Sequence, residues 1–389
     1  MNAATPVTHA APAPATIPWW RTACGEEEIA KVVASMRAEH ISGGPVTREL
    51  EEAIAKTLGV PYVVATTSCS MALTMALMTL GIGPGDEVIV PNRTFMATAH
   101  AALVLGAKVR LVDVRKDIPA LDVTQVEAAI TPRTKAVMPV HLNGRAVDMP
   151  ALNAIARRHN LKVVEDAAQA FLSKGPDGAW LGTQGDLGCF SLGMTKLVST
   201  GQGGFVVTRD KSLYDRMRRV QVHGVVDTLT DAYEMLGSNF KFNDVLASIG
   251  VIQLQRGADK VAHVTRVYET YRQELDRLSL LEIIPVMVVA GEVPLWTEVC
   301  VAGRSDQDCA EERARLMAFL AERGIQTRRF LPDLDRSPYL GNDNGKYPNS
   351  RRFDAGGMFL PGGPAQPMAN VHRTIEALHE YRQSRRRAA

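Results

Sequence analysis

A lysine stands among apolar residues in the stretch "FSLGMTKLVSTGQGG", residues 190–204. Lys196 is surrounded by Phe190, Leu192, Met194, Leu197 and Val198, and the stretch holds no acidic residue to pair with it. A buried ammonium without a partner is expensive. Either the side chain reaches solvent, or the protein uses an amine whose charge is easily lost. Two other segments carry groups fit for chemistry. "LKVVEDAAQA" places Asp166 at the end of an apolar run, where a carboxylate needs a cationic partner. A structural salt bridge would satisfy it as well as a ligand would. "YVVATTSCS" delivers Ser68, Cys69 and Ser70 to the start of a helix. Helix N-termini offer free N–H groups and suit a phosphate. Taken alone, this segment reads as an ordinary cap by Ser68 or Ser70.

Together the three segments match the needs of one cofactor. Pyridoxal phosphate requires an amine to hold it as a Schiff base, an anion for its pyridinium nitrogen, and donors for its phosphate. Desolvation lowers a lysine pKa, which suits the amine to act as nucleophile and proton carrier. On this reading Lys196 is neutral or imine-linked and needs no counterion.

These residues must be held by a scaffold. "YVVATTS", "GDEVIVP", "KVRLVDV", "KAVMPVHL", "LKVVEDAAQA" and "GGFVVTRD" are short apolar runs rich in β-branched residues. Helical patterns separate most of them, "MPALNAIARRHN" being the clearest. The alternation predicts an α/β fold with a mostly parallel sheet between helices. Ligands of such sheets bind beyond the carboxyl ends of the strands, where all three segments fall. Helical spacing runs from Glu26 to Arg37, breaks at Gly43–Pro45 and resumes with Thr47 as N-cap. Past residue 250 the texture changes. A long helical stretch, "ASIGVIQLQRGADKVAHVTRVYETYRQELDRL", is followed by the runs "LEIIPVMVV", "PLWTEVCVAG" and "IQTRRFL" and by the helix "AEERARLMAFLAERG". That is an α+β pattern, with "LGNDNGKYPNS" and "LPGGPAQP" as loops. The expected organisation is a disordered Ala/Pro/Thr-rich leader over 1–16, a large cofactor-binding domain over 17–255, and a smaller C-terminal domain over 256–389.

Bulk composition narrows the function classes. The 389 residues are 46% hydrophobic and 22% charged, with a formal net charge of +2. No overall field recruits nucleic acid or a membrane surface. The terminal "RQSRRRAA" reads as a solvated basic tail. Five scattered cysteines without CxxC spacing suggest neither disulfides nor a metal site, and point to a reducing cytoplasm. No apolar run reaches membrane-spanning length, and the N-terminus lacks the marks of a secretory signal.

Several blocks, in order, resemble the DegT/DnrJ/EryC1/StrS sugar aminotransferases, which belong to fold-type I of the pyridoxal phosphate enzymes. They include "GIGPGDEVIVPNRTFMATAHAALVLGAKVRLVDV", "PVHLNGRAVDMPAL", "VVEDAAQA", "GTQGDLGCFSLGMTKLVSTGQGGFVVT" and "NFKFNDVLASIGVIQL". The resemblance implies that Lys196 forms the Schiff base and moves the proton, and that Asp166 pairs with the pyridinium nitrogen. It implies further that Gln169 bonds the phenolic oxygen, that Phe95 stacks on the ring, and that Ser191, Ser68 and Cys69 line the phosphate site. Asn239 would reach the phosphate from a neighbouring subunit, which implies a homodimer with shared sites. The implied reaction moves an amino group from an amino acid, L-glutamate first, to a keto-sugar linked to a nucleotide. The alternatives are an aminocyclitol aminotransferase acting on a keto-inositol with L-glutamine, and a cofactor-binding regulatory module without catalysis. A related sugar dehydratase would carry histidine in place of Lys196. Three positions depart from the family pattern: Cys69 replaces glycine, Gln202 replaces an acid, and Lys241 replaces arginine.

Other residues carry weaker signals. His141 and His223 match histidines of the pattern, and a structural hydrogen bond is the expectation for each. "GIGPG" precedes a strand and so fails as a dinucleotide loop. "ISGGPV" resembles a loop near the substrate. Arg328, Arg329 and Lys346 read as solvated surface charge, with an acidic substrate group as the alternative.

Overall fold

The computed structural model describes residues 16–388, apart from 228, 230, 231, 234, 279, 280, 285–289, 302 and 341–345. The expected leader, save Thr16, lies outside the described residues, as do most of "LEIIPVMVV" and half of "LGNDNGKYPNS". Seven strands form the main sheet: β1 (Tyr62–Thr66), β2 (Glu87–Pro91), β3 (Lys108–Val112), β4 (Thr134–Val137), β5 (Lys162–Asp166), β6 (Leu187–Ser191) and β7 (Gly204–Thr208). Their order is β1-β7-β6-β5-β4-β2-β3. The strands from β3 across to β6 are parallel, and β7 alone runs against its neighbours β6 and β1.

Alternation along the strands sends side chains to two faces. Val64, Val88, Val90, Val164, Cys189 and Val206 share one core with helices α3 (Cys69–Thr79), α4 (Ala97–Leu103) and α6 (Lys211–Gln221). The alternate residues Ala65, Phe190, Phe205 and Val207 pack on α2 (Pro45–Leu58) and α7 (Asp244–Gln255). Ile89, Val137 and Val163 pack on α5 (Met149–Arg158). The helix expected over 26–37 is α1 (Glu26–Arg37).

Strand β6 carries no clear signal in the sequence, because Gly188 reads as a break. The glycine is required: a Cβ there would meet the Gly182 carbonyl oxygen at 1.8 Å. β6 and β7 pair antiparallel from Ser191↔Gly204 inward, and the Phe190 and Phe205 rings stack at 4.6 Å. Residues 192–203 are therefore a loop whose two ends are hydrogen-bonded together, and this loop carries Lys196.

Helix α2 differs from expectation at its start. Thr47 is not the cap; Gly44 occupies that position, and its side-chain role is taken by Asp244 from α7. The Asp244 carboxylate accepts from the Gly44, Val46 and Thr47 N–H groups at 2.9, 3.2 and 2.8 Å and from the Thr47 hydroxyl at 2.6 Å. A Cβ on Gly44 would stand 2.7 Å from that carboxylate. Sequence spacing cannot reveal a cap supplied from 200 residues away.

The second half is an antiparallel sheet, β10-β11-β9-β8, from β8 (Leu281–Ile283), β9 (Glu298–Val301), β10 (Arg328–Arg329) and β11 (Gly357–Phe359). Helices α8 (Gly257–Leu275), α9 (Asp306–Glu322) and α11 (Met368–Ala388) cover it through Val267, Tyr271, Leu316, Leu320, Val371 and Leu378. Ile17 joins this core and bridges Ile325, so the first described residues pack on the C-terminal half. The long helical stretch is two helices, broken at Arg256. Helix α10 (Pro348–Gly356) begins inside the expected loop. The basic C-terminus is the last turns of α11, with Arg385 bonded to Glu312 at 3.1 Å.

Loss of the long-range cap should be costly. Burial pushes the Asp244 carboxyl up, but the Thr47 hydroxyl and the three N–H donors outweigh it and hold the group below the ordinary Asp range. Asp244→Ala should lower unfolding free energy by about 2–4 kcal/mol, read from urea denaturation, because several buried N–H groups lose their acceptor. A group with a depressed folded pKa stabilises above its unfolded pKa and loses that stabilisation as pH falls through the folded value. The difference between wild type and variant should therefore shrink only in acid.

Candidate active site

Between the two halves lies a cleft of about 410 Å³, at the carboxyl end of the parallel strands. Lys196, Asp166, Gln169, Phe95, Ser68, Cys69 and Ser191 all line it. Of the expected site residues, Asn239 is the one left out. It is exposed on the strand-like segment that bridges Val222, away from the cleft of its own chain.

Lys196 is half-buried, and its Nζ makes no hydrogen bond or ion pair among the described residues. Its Nζ lies 5.0 Å from the centre of the Trp296 ring. Burial lowers its pKa to about 8, against the smaller opposing pull of Cys69 and Asp166. Asp166 closes β5 and is 4% exposed. Its Oδ2 accepts from the Thr98 hydroxyl at 2.7 Å and its Oδ1 from the Ala168 N–H at 3.1 Å. Burial raises its pKa, while these two donors and the charges of Lys196 and His141 resist. The expected cationic partner is thus not a neighbouring side chain, and the buried carboxylate faces a cleft instead. Thr98 has a single proton and gives it to Asp166, so the Thr94 hydroxyl, 2.8 Å away, donates to Thr98. The relay links Asp166 to the turn that carries Phe95, which is 47% exposed on the cleft wall.

The amide of Gln169 is oriented by its surroundings. Its Oε1 accepts from the Asn143 N–H at 2.8 Å, which leaves its NH₂ donors for the cleft. Asn143 sits in left-handed backbone (φ 54°) and also grips the Trp296 peptide, donating at 2.9 Å and accepting at 2.7 Å. One asparagine therefore sets both Gln169 and Trp296, on opposite halves. Beside it, the buried Arg145 donates to Glu298 at 2.6 Å.

Helix α3 points its N-terminus into the cleft. Ser68 caps it by accepting from Met71 N–H at 3.2 Å, as an ordinary cap would. Its first N–H groups, at Cys69 and Ser70, have no partner within the helix. The chain can approach them closely because Gly204 lacks a side chain: a Cβ there would lie 2.6 Å from Cys69 N. The Cys69 thiol is pushed well above its ordinary pKa by burial and then by Asp166, so it is a neutral wall residue. Ser191 Oγ accepts from Gly193 N–H at 3.2 Å beside it.

The set fits pyridoxal phosphate: an easily neutralised amine, a buried carboxylate without a counterion, an amide donor and a helix N-terminus surround one space. His141 has the expected structural bond. Its Nδ1 accepts from Val147 N–H, so its Nε2 donates to the buried Glu165 at 2.8 Å. His223 is exposed, with φ 58°. Arg328 and Arg329 are exposed as expected, yet they stand at the cleft mouth and not on remote surface. Thr98, Asn143 and Trp296 were not anticipated. Thr98 follows Thr94 by one helical turn in "TFMAT", a signal that was there to be read, and Asn143–Gly144 is a turn pair. Trp296 carried none.

The chain is similar to known proteins over most of its length. The model of the DegT/DnrJ/EryC1/StrS aminotransferase family matches residues 22–379. GDP-perosamine synthase of Caulobacter vibrioides is 36% identical over 335 residues, 85% of this chain and 89% of that one. DesV of S. venezuelae is 31% identical, covers 92% of this chain and 94% of its own, and superposes with a TM-score of 0.84. The PLP-form structure of the sugar aminotransferase Spr1654 from Streptococcus pneumoniae is 25% identical, covers 95% and 99%, and superposes at 0.88.

Two outcomes test the site. Apo-protein mixed with pyridoxal phosphate and reduced with borohydride should carry the adduct on Lys196, and Lys196→Ala should carry none. Trapping should rise from about pH 7 to about pH 9 as an amine of pKa about 8 loses its proton; a flat profile would contradict the buried amine. Thr98→Val should weaken cofactor binding roughly tenfold in an absorbance titration, because Asp166 loses one of its two donors.

Proposed function

Because this chain belongs to the DegT/DnrJ/EryC1/StrS aminotransferase family, we propose that it moves an amino group from L-glutamate to the carbonyl carbon of a nucleotide-linked keto-sugar. It is a pyridoxal phosphate-dependent transaminase of amino-sugar biosynthesis. The observation that carries this reading is the Lys196 amine, lining the same cleft as the buried Asp166 carboxylate with its pKa lowered to about 8.

Bound pyridoxal phosphate supplies an electrophilic aldehyde and a ring that accepts electrons from the bond broken at the amino carbon. The chain supplies the rest. Lys196 Nζ would hold the cofactor, and as a free amine it would take a proton from the donor's α-carbon and later give one to the sugar carbon. A pKa of about 8 suits it to both directions near neutrality. Asp166, kept charged by Thr98 and the Ala168 N–H, offers the negative charge that holds the ring nitrogen protonated. Gln169 would donate to the ring oxygen, and Phe95 would cover the ring. The N–H groups of Cys69 and Ser70, with the Ser68 and Ser191 hydroxyls, would hold the phosphate. Trp296 excludes water on the other side of the amine.

Asn239 is exposed and does not line its own cleft, which fits a homodimer in which each subunit's Asn239 would serve the other's phosphate site. Among the described residues no helix is long and apolar enough to cross a membrane. We place the enzyme in the cytoplasm, where its nucleotide-sugar acceptor would be made.

The purified protein should be yellow, and L-glutamate should bleach it in a single turnover. Adding a panel of nucleotide-linked 4- and 3-keto-sugars should restore the colour for one of them and give an amino-sugar by mass spectrometry. Restoration by keto-inositols alone would move the acceptor to an aminocyclitol precursor. Asp166→Ala should slow bleaching by about a hundredfold or more, since the ring nitrogen loses its anion.

A further inference from the structure

At the mouth of the cleft, strand β10 is two residues long, and both are arginines. Arg328 and Arg329 are fixed by antiparallel pairing with Phe359 and Met358. Both line the cleft that holds Lys196, and both also line an outer groove of about 900 Å³. Trp19 and Leu331 are likewise common to the two spaces, so the cleft and groove meet at this strand.

Neither guanidinium makes an ion pair or hydrogen bond among the described residues. Other arginines of this half are paired: Arg323 with Glu380, Arg336 with Asp354, Arg351 with Asp335 and Arg352 with Glu282. Arg328 is held in place without being neutralised, its guanidinium lying 4.9 Å from the centre of the Trp19 ring. Burial lowers the Arg313 pKa, and the Arg329 charge is the largest further influence lowering it. The strand therefore presents two positive, donor-rich groups between a small inner space and a larger outer one.

We propose that Arg328 and Arg329 bind the diphosphate of the acceptor, with its sugar in the cleft and its nucleoside in the outer groove. The proposal rests on the nucleotide-linked reading of the acceptor. A guanidinium fork matches phosphate oxygens and remains charged at any working pH. The groove beyond has an apolar wall from Met317, Ala318 and Ala321 of α9 and polar groups from Gln326 and Thr327, which suits a nucleoside. The second carboxylate of a glutamate donor is the other anion these arginines could meet. It is disfavoured because so short a molecule leaves the groove empty.

The test uses the holoenzyme. GDP, UDP and dTDP are titrated calorimetrically into wild type, Arg328→Ala, Arg329→Ala and the double variant, at low and high salt. The two half-reactions are followed separately by absorbance. One nucleoside diphosphate should bind wild type. Each single variant should lose roughly tenfold in affinity, and added salt should weaken binding. Arg→Lys at both positions should recover part of the loss. The kinetic loss should fall on the acceptor half-reaction as a raised KM. The proposal is overturned if wild type binds none of the three, if the double variant binds as well as wild type, or if the loss falls on the glutamate half-reaction. Intact arginine-dependent nucleotide binding without any bleaching by glutamate would fault the transaminase reading and leave this subsite standing.

Discussion

An amine in a largely apolar cleft, with no carboxylate bonded to it, is the constraint on which this molecule is built. Lys196 cannot stay charged there cheaply, and its pKa falls to about 8. The same dry space raises the pKa of Asp166. Lysine and aspartate in one cleft would ordinarily collapse into a salt bridge. Here the two are held apart by different strands, the lysine on the β6–β7 loop and the aspartate at the end of β5. Bound there, pyridoxal phosphate would supply a positive ring nitrogen for Asp166 to hold and an aldehyde for the Lys196 amine to capture.

Keeping that separation requires rigid edges. The Phe190–Phe205 stack and the Ser191↔Gly204 pairing close the loop beneath Lys196. Glu165, next to Asp166, accepts from His141 and from the Gly182, Gln184 and Gly185 N–H groups, so this buried carboxylate is well satisfied. Across the cleft the halves are joined by buried polar contacts. Asn143 holds the Trp296 peptide, Arg145 pairs with Glu298, and Arg93 pairs with Asp333 at 3.0 Å. Breaking one partner of a buried pair typically costs about 3–5 kcal/mol. These contacts make the cleft a preformed space and hold Gln169 and Phe95 at its walls.

The alternating strand and helix patterns were legible because apolar periodicity is local. So were Lys196 and Asp166, since a charged residue inside an apolar run contradicts its own surroundings. Legibility failed where the cause was distant. Asp244 caps α2 across 200 residues, and Gly188 is glycine because Gly182 crosses it. Arg328 and Arg329 looked like surface charge, since nothing in "IQTRRFL" tells that β10 stands at the cleft mouth. Ser68, Cys69, Gln169, Phe95 and Ser191 became candidates through family resemblance, and only folding gathers them around one space.

The sequence by itself determined which groups are available: one amine without a local counterion, one carboxylate at a strand end, and a helix start with small polar residues. Those properties follow from neighbours along the chain. Tertiary structure alone decided their chemistry. Desolvation and charge coupling depend on what lies within a few ångströms in space, and the residues that set them, Thr98 for Asp166 and Trp296 for Lys196, stand 68 and 100 positions away.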